Sequence, residues 1–418
     1  MTPGSFSYDS LTVVALLLPA MACAATGGSD PQEPADSASA TGQANGSAQE
    51  TTEAPAGPTR WSRIRFSPSA ADMTPRPDKR GITDAGESSG VTPPDDEHGE
   101  FVMAPIPFAN PTIGAGLALG AAYLVKLDPD SPPSTIGGGA MYSENDSYAL
   151  GFGFKGYLDG DRYRVNAAVA KGRMNFDLVS DGVEVPLQED VVGANLEVLV
   201  RSFERVYIGP TIIIFGVDTS IRREEDEGAI PPEELKADNY GFGLHALRDT
   251  RDSTFYPRSG SLADTQIRTF VPALGNEFSY RVLPLAYNHF FSLGERDVLA
   301  LRAAGRFAIG DVPFYGRSYL GVGPDLRGYA VGTVSDDVLL SIQAEYRREL
   351  FWRLGAVGFA GVGTVLPALD EWDDAVAYPS AGFGVRLLLE EENHVNFRVD
   401  FAWGRDQSAI YVGVGEAF

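Results

Sequence analysis

The sequence predicts an all-β protein: a sixteen-stranded antiparallel transmembrane β-barrel over residues 101–418, preceded by a disordered N-terminal tail. Three observations predict this class. Candidate strands alternate in polarity, the connections between them alternate in length, and no interior run of 18 apolar residues is present that would span a membrane as a helix. The mean hydropathy of -0.10 agrees with a barrel, because only every second strand residue faces lipid.

The alternation is clearest in the last two candidate strands. Residues 395–403 place large apolar side chains on one face, and in residues 409–418 the side chains of Ile410, Val412 and Val414 point the same way. A soluble β-sandwich shows the same pattern, so alternation alone leaves both classes open. We also interpret Val412, Val414 and the aromatic Phe418 as a C-terminal strand signal, which would engage the cell's barrel assembly machinery during the chain's own insertion.

The lengths of the connections favour the membrane barrel. Short turns are predicted at residues 159–161, 203–205, 294–296, 351–353 and 391–393, and long connections at 179–190, 222–238, 310–337 and 367–378. Outer-membrane barrels have short periplasmic turns at one rim and longer loops at the other. A soluble sandwich has no reason to separate loop lengths in this way. The even strand count predicts that both ends of the barrel segment lie in the periplasm.

The first 100 residues are predicted to be a signal peptide and a tail. Residues 1–24 contain a short apolar core followed by Ala22-Cys23-Ala24, where we favour ordinary cleavage over lipid attachment at Cys23. Residues 25–100 are rich in Pro, Gly, Ser and acids, which predicts a disordered periplasmic tail. Residues 60–66 interleave Arg with large apolar residues, which is typical of a docking peptide or lumen plug, although we favour a solvated basic cluster.

Composition and motifs exclude several functions. The net charge of -24 argues against nucleic-acid binding, and a single cysteine excludes a disulfide framework. The four histidines are scattered and no nucleophile elbow or phosphate-binding loop appears, so we predict no enzyme activity, no cofactor and no metal. The acidic runs at 224–227 and 370–374 suit solvated loops better than cation sites. The expected partners are outer-membrane lipid and lipopolysaccharide, and a homo-oligomer stays an open alternative.

The longest loop carries a distinctive motif. It contains Leu326-Arg327-Gly328-Tyr329, and the next strand continues to Glu345-Tyr346-Arg347. Alternation places Glu345 on the lumen face, where the guanidinium of an infolded loop can meet it with two parallel hydrogen bonds. Gly328 would let the loop backbone approach the wall closely. We predict this contact over the alternative, a surface arginine beside a tight turn.

With this motif, with Asp249-Thr250-Arg251-Asp252 and the Phe-Tyr-Pro-Arg-Ser-Gly run at 255–260, and with the Gly-Glu-Ala-Phe ending, the sequence resembles the BamA/TamA family of outer-membrane assembly and translocation barrels, also called the bacterial surface antigen family. The resemblance covers residues 101–418. It implies a sixteen-stranded barrel whose Arg-Gly-Tyr loop folds into the lumen after the eleventh strand. We call the residues of that contact the loop lock: Arg327, Gly328, Tyr329 and Glu345.

The sequence departs from the family pattern in two places. Gly361 stands where family members usually place an aspartate that also receives the loop arginine, so we expect the loop lock to depend on Glu345 alone. Residues 26–100 show none of the strand-helix-helix-strand-strand pattern of the family's periplasmic POTRA domains. The resemblance implies insertion or translocation of polypeptide or lipid at the bacterial outer membrane, through a barrel whose first and last strands pair weakly. The alternatives are a passive outer-membrane pore and a structural surface antigen.

Overall fold

The computed structural model describes residues 100–180, 182–391 and 394–418. The predicted signal peptide, the tail with its basic segment 60–66, and part of the turn at 391–393 lie outside the described residues. The strands in chain order are β1 (Glu100–Asn110), β2 (Gly114–Val125), β3 (Ser134–Ser143), β4 (Tyr148–Leu158), β5 (Tyr163–Ser180), β6 (Val183–Phe203), β7 (Val206–Ile221), β8 (Lys236–Asp249), β9 (Gly260–Phe270), β10 (Tyr280–Ser292), β11 (Asp297–Gly310), β12 (Ser318–Tyr319), β13 (Ser335–Asp336), β14 (Val338–Phe351), β15 (Leu354–Leu366), β16 (Tyr378–Glu390), β17 (Val395–Trp403) and β18 (Ser408–Val414).

Sixteen of these strands form one closed antiparallel barrel, which confirms the predicted fold class. Each barrel strand pairs with its neighbour in sequence, β14 follows β11, and β18 returns to β1. The two-residue strands β12 and β13 pair with each other inside the β11–β14 connection. The helix Pro232–Leu235 is a single turn. Among the described residues, no helix is long and apolar enough to cross a membrane.

The wall of the barrel has an apolar outer face and a polar inner face. In β14 the outward residue Ile342 is 60% exposed, whereas its lumen-facing neighbours Gln343 and Glu345 are buried. Exposed outward apolar side chains on successive strands are favourable only against lipid. The tight turns at residues 159–162, 204–205 and 352–353 share one rim, which barrel architecture places in the periplasm.

Two predicted boundaries are wrong. Residues 179–190 were expected to form a long loop, but β5 and β6 continue through them and pair as far as Ser180 and Val183. Val185 and Leu187 are fully buried because these long strands pack over the hydrophobic cluster that fills the outer part of the lumen. The last strand was expected to reach Phe418, but it ends at Val414.

Candidate functional site

The connection between β11 and β14, residues 311–337, folds into the lumen. Leu320 and Leu326 of this loop are fully buried and form a hydrophobic cluster with Leu339 at the start of β14. The Gln343 amide donates to the carbonyl oxygens of Pro324 and Asp325 at 2.5 and 2.6 Å. Apolar burial and backbone hydrogen bonds to the wall together hold the loop inside the barrel.

Arg327 lies at the centre of the infolded loop. Its Nη2 is 2.5 Å from Glu345 Oε2 on β14, and its Nη1 is 2.8 Å from Asp400 Oδ2 on β17. The guanidinium carbon lies 3.4 Å from the ring centroid of Phe359 on β15, so the planar group stacks on an aromatic face. Both carboxylates have 0% side-chain exposure. The arginine therefore ties the loop to three strands of the wall.

The expectation that the loop lock depends on Glu345 alone is wrong. Asp400 supplies the second carboxylate, from β17 instead of β15. Gly361 leaves no space for an acid, because a Cβ atom there would lie 2.6 Å from Gln343 Cγ and 3.0 Å from Leu326 Cδ1. The position that the family fills with aspartate is occupied here by the packed loop.

Gly328 and Tyr329 also contact the wall. Gly328 has φ of +106°, and a Cβ atom there would lie 2.9 Å from the Gly404 nitrogen, so the close approach requires glycine. Its N–H donates to the Tyr411 phenol oxygen on β18 at 2.8 Å. The Tyr329 hydroxyl donates to the Pro379 carbonyl at 2.6 Å. All four residues of the predicted loop lock thus lie at one surface of the lumen wall.

A larger ionic cluster surrounds Arg327. It extends from the loop lock toward the periplasmic end of the lumen and includes side chains of β14, β16 and the segment after β18. Its shortest other ion pairs are Arg347 Nε to Glu345 Oε1 at 2.8 Å, Arg386 Nη1 to Asp400 Oδ1 at 2.5 Å and Arg386 Nε to Glu416 Oε2 at 2.8 Å. Such a cluster is stable only when each buried charge keeps its partners.

The segment after β18 turns into the lumen instead of continuing the barrel wall. Gly415 has φ of +84°, where the chain leaves the strand. Phe418 is buried against Phe290 and Ala300, and its carbonyl oxygen accepts from Arg347 Nη2 at 2.7 Å. Phe418 is therefore not part of the last strand, whereas Val412 and Val414 do lie in it. The role of the three residues as an insertion signal stays a prediction.

The junction of β1 and β18, which we call the seam, has little pairing. Its described register joins Ala109 to Val412 alone, whereas β17 and β18 pair from Phe397–Val414 to Trp403–Ser408. The inward turn at Gly415 removes the residues that would continue the pairing along β1. Pro105 and Pro107 of β1 have no backbone N–H to donate to a neighbouring strand, which is typical of an edge strand. The two prolines are thus a sequence signal for the edge of the sheet.

Sequence reasoning also missed Asp400, Phe359, Tyr411 and Glu416 as partners of the site. In residues 395–403, Asp400 alternates with the large apolar residues and so lies on the lumen face. An acid at that position was the available signal for a lumen contact. Contacts between strands as distant as β14 and β17 depend on how the loop crosses the lumen, which spacing in the sequence does not give.

A closed sixteen-stranded barrel with an apolar exterior and a polar, loop-filled lumen defines an outer-membrane β-barrel protein. The Omp85 superfamily domain model matches residues 135–418, so the chain belongs to the Omp85 superfamily. This confirms the resemblance to BamA/TamA-type barrels, and the protein resides in the bacterial outer membrane.

Solved structures share the fold. BamA from Haemophilus ducreyi lacking POTRA domains 1–3 aligns with a TM-score of 0.53 and 13% identity, over 76% of this chain and 70% of that one. CdiB from Escherichia coli aligns with a TM-score of 0.54 and 11% identity, over 75% of this chain and 62% of that one. CdiB from Acinetobacter baumannii aligns with a TM-score of 0.52 and 11% identity, over 75% of this chain and 59% of that one. Comparison with curated protein sequences gives no match.

Proposed function

We propose that this protein inserts polypeptide into the outer membrane, or passes polypeptide across it, by opening the seam between β1 and β18. The observation that carries the proposal is the single paired position, Ala109 with Val412, at the junction of the first and last strands. An unpaired strand edge presents backbone groups that can pair with an incoming strand. In the hydrocarbon region such groups are costly until they are paired.

The infolded loop supports the same mechanism. It is hydrogen-bonded to β18 through Gly328 and Tyr411, and the Val331 N–H donates to Thr112 Oγ1, in the turn after β1, at 2.9 Å. A loop fastened to both sides of the seam would hold it closed in the resting barrel. Movement of the loop would release one or both sides. The buried charges of the loop lock make that movement costly enough to keep the resting state dominant.

The occupied lumen favours this function over a passive pore. The loop fills the outer part of the lumen with apolar side chains, and the inward segment with Phe418 lies across the periplasmic part. A porin keeps an open aqueous channel. A structural surface antigen does not require first and last strands that can separate.

The proposal is tested with purified protein in lipid vesicles. Folding of a urea-denatured eight-stranded outer-membrane barrel is followed by its heat-dependent gel shift, in vesicles that contain this protein, an unrelated porin, or neither. We expect folding to be faster only in the vesicles that contain this protein, and not in those with the porin or with no protein. In planar bilayers we expect a mostly closed channel with rare openings. A stable, large, ohmic conductance without faster folding would support the pore. The absence of both faster folding and channel conductance would support the surface antigen.

A further inference from the structure

The lipid-facing wall from β1 to β8 contains an open, mainly apolar depression with a volume of about 960 Å³. We call it the wall groove. Most of its large lining side chains are apolar and face outward, and they come from successive strands. They include Met103, Leu119, Leu150, Phe152, Val192 and Ile214.

Small residues create the concavity. Gly138, Ala140 and Ala194 are outward-facing positions of the wall groove where neighbouring strands carry bulky groups. A Cβ atom on Gly138 would lie 2.9 Å from the Gly151 carbonyl oxygen, so this part of the wall accepts only glycine without adjustment. On the opposite wall, Ala344, Ala360 and Ala381 also form an outward row of small residues, with large side chains such as Ile342 and Phe383 at neighbouring outward positions.

One cation lies at the extracellular edge of the wall groove. Lys171 faces outward on β5, between Leu150 and Val192, which are 63% and 57% exposed. The next outward pair along β5 and β6 is the ion pair of Arg173 with Asp190 at 2.9 Å. Within the described part of the chain, no carboxylate forms an ion pair with Lys171. A lysine at the edge of an apolar belt is stabilised by an anionic headgroup.

We propose that the wall groove binds a phosphate-bearing lipid of the outer leaflet, with its acyl chains in the concavity and its phosphate at Lys171. Acyl chains need no hydrogen bonds, which suits a surface whose charged lining groups, among the described residues, are Lys171 on β5 and Asp238 on β8 alone. Asp238 repels phosphate and so directs the headgroup to the Lys171 side. A polypeptide occupant would leave backbone groups without partners there. The proposal does not rest on transport activity, although Met103 of the wall groove lies on β1, one strand of the seam.

The probe is bisphosphorylated lipid A, with a lipid A lacking both phosphates as the second arm. Binding to the full chain in detergent is measured by native mass spectrometry. We expect Lys171→Gln to weaken binding of the bisphosphorylated lipid by about tenfold and to leave the phosphate-free lipid unaffected. Lys236→Gln is the matched control, because Lys236 also faces outward but pairs with Asp218 at 2.8 Å and lies outside the wall groove.

Ala194→Phe fills the wall groove and should weaken both lipids, with barrel folding checked by the heat-dependent gel shift. Equal binding by the parent, Lys171→Gln and Ala194→Phe would overturn the proposal. So would a dimer of the parent chain that Ala194→Phe abolishes and Lys171→Gln does not, because the groove would then hold a second copy. Lys171→Gln changes an exposed residue, so the test does not depend on whether Ala194→Phe folds.

Discussion

The backbone N–H of Gly328 donates a hydrogen bond to the phenol oxygen of Tyr411 at 2.8 Å. Gly328 follows the arginine of the loop lock, and Tyr411 lies in β18 beside the seam. The loop that fills the lumen is therefore bonded directly to the strand that would have to move if the barrel opened. Loop position and seam opening are expected to be coupled.

Arg327 and Glu345 should show strong coupling in a double-mutant cycle. Arg327→Ala leaves Glu345 and Asp400 buried with one partner fewer, and breaking a buried pair costs about 3–5 kcal/mol. Arg327→Ala combined with Glu345→Ala should cost much less than the sum of the single changes. Urea unfolding in detergent measures these costs. Arg353→Ala is the control, because its pair with Glu391 is exposed and should be worth less than about 1 kcal/mol. Additive costs would show that the two side chains act independently.

Gly361→Asp should destabilise the loop, although the family pattern would suggest the opposite. The new side chain would collide with Gln343 and Leu326, and overpacking of this kind costs about 1–3 kcal/mol. Gly358 lies on the same strand, and a Cβ atom added there would have no neighbouring atom within 4 Å, so Gly358→Ala is the matched control. Protease cleavage within residues 324–331 should rise only in Gly361→Asp. Slower cleavage in that variant would mean that β15 accepts the acid.

Phe418→Ala should destabilise the barrel because it removes packing contacts inside the lumen, and not contacts with lipid. Phe418 packs on Phe290 and lies beside Arg347, and removal of a buried phenylalanine ring costs about 3–5 kcal/mol. Phe351→Ala, at a periplasmic turn where the side chain is 68% exposed, should have a much smaller effect. The midpoint of thermal unfolding in detergent distinguishes the two. Equal midpoints would place Phe418 outside the packed lumen.

Acidification should loosen the periplasmic rim at His394. Its ring stacks on Tyr256 with centroids 3.9 Å apart, and burial lowers the pKa of His394 below its ordinary value, with Glu349 opposing the shift. The unfolded chain then binds a proton that the folded rim does not, so stability is full above about pH 6.5 and falls as pH drops toward the lower, folded pKa. Proteolysis of the 250–259 loop should increase from pH 7.5 to 5.5. His394→Asn should remove that dependence, and an unchanged profile in the variant would exclude His394 as its source.

The sequence was sufficient for the barrel because alternation and connection length are local properties that repeat sixteen times. The lumen position of Glu345 followed from the same alternation. Asp400 was visible as a lumen-facing acid, but its contact with Arg327 depends on the path of the loop across the lumen. That path is set by the burial of Leu320 and Leu326, which no local pattern specifies.

The chain after Val414 shows a second limit. Gly413, Gly415 and Ala417 continue the small, lumen-facing side of the pattern, which predicted a strand as far as Phe418. Gly415 permits a positive φ, and the buried partners of Glu416, Arg386 and Asn396, favour an inward turn. In a strand continued to Phe418, Glu416 would lie on the lipid-facing side with Val412 and Val414, so its charge was a sequence signal against the extended strand.

The seam is tested most directly by a reversible cross-link. In a Cys23→Ser background, Ala109→Cys with Val412→Cys would join β1 to β18 at their paired position, and Ala402→Cys with Ala409→Cys would join β17 to β18 as the control. Folding of the denatured eight-stranded barrel is then measured in vesicles with each protein oxidised and reduced. The account predicts that the oxidised seam pair loses the acceleration and regains it on reduction, while the control pair keeps it throughout. Full acceleration by the oxidised seam pair, with the cross-link verified by mass spectrometry, would contradict it.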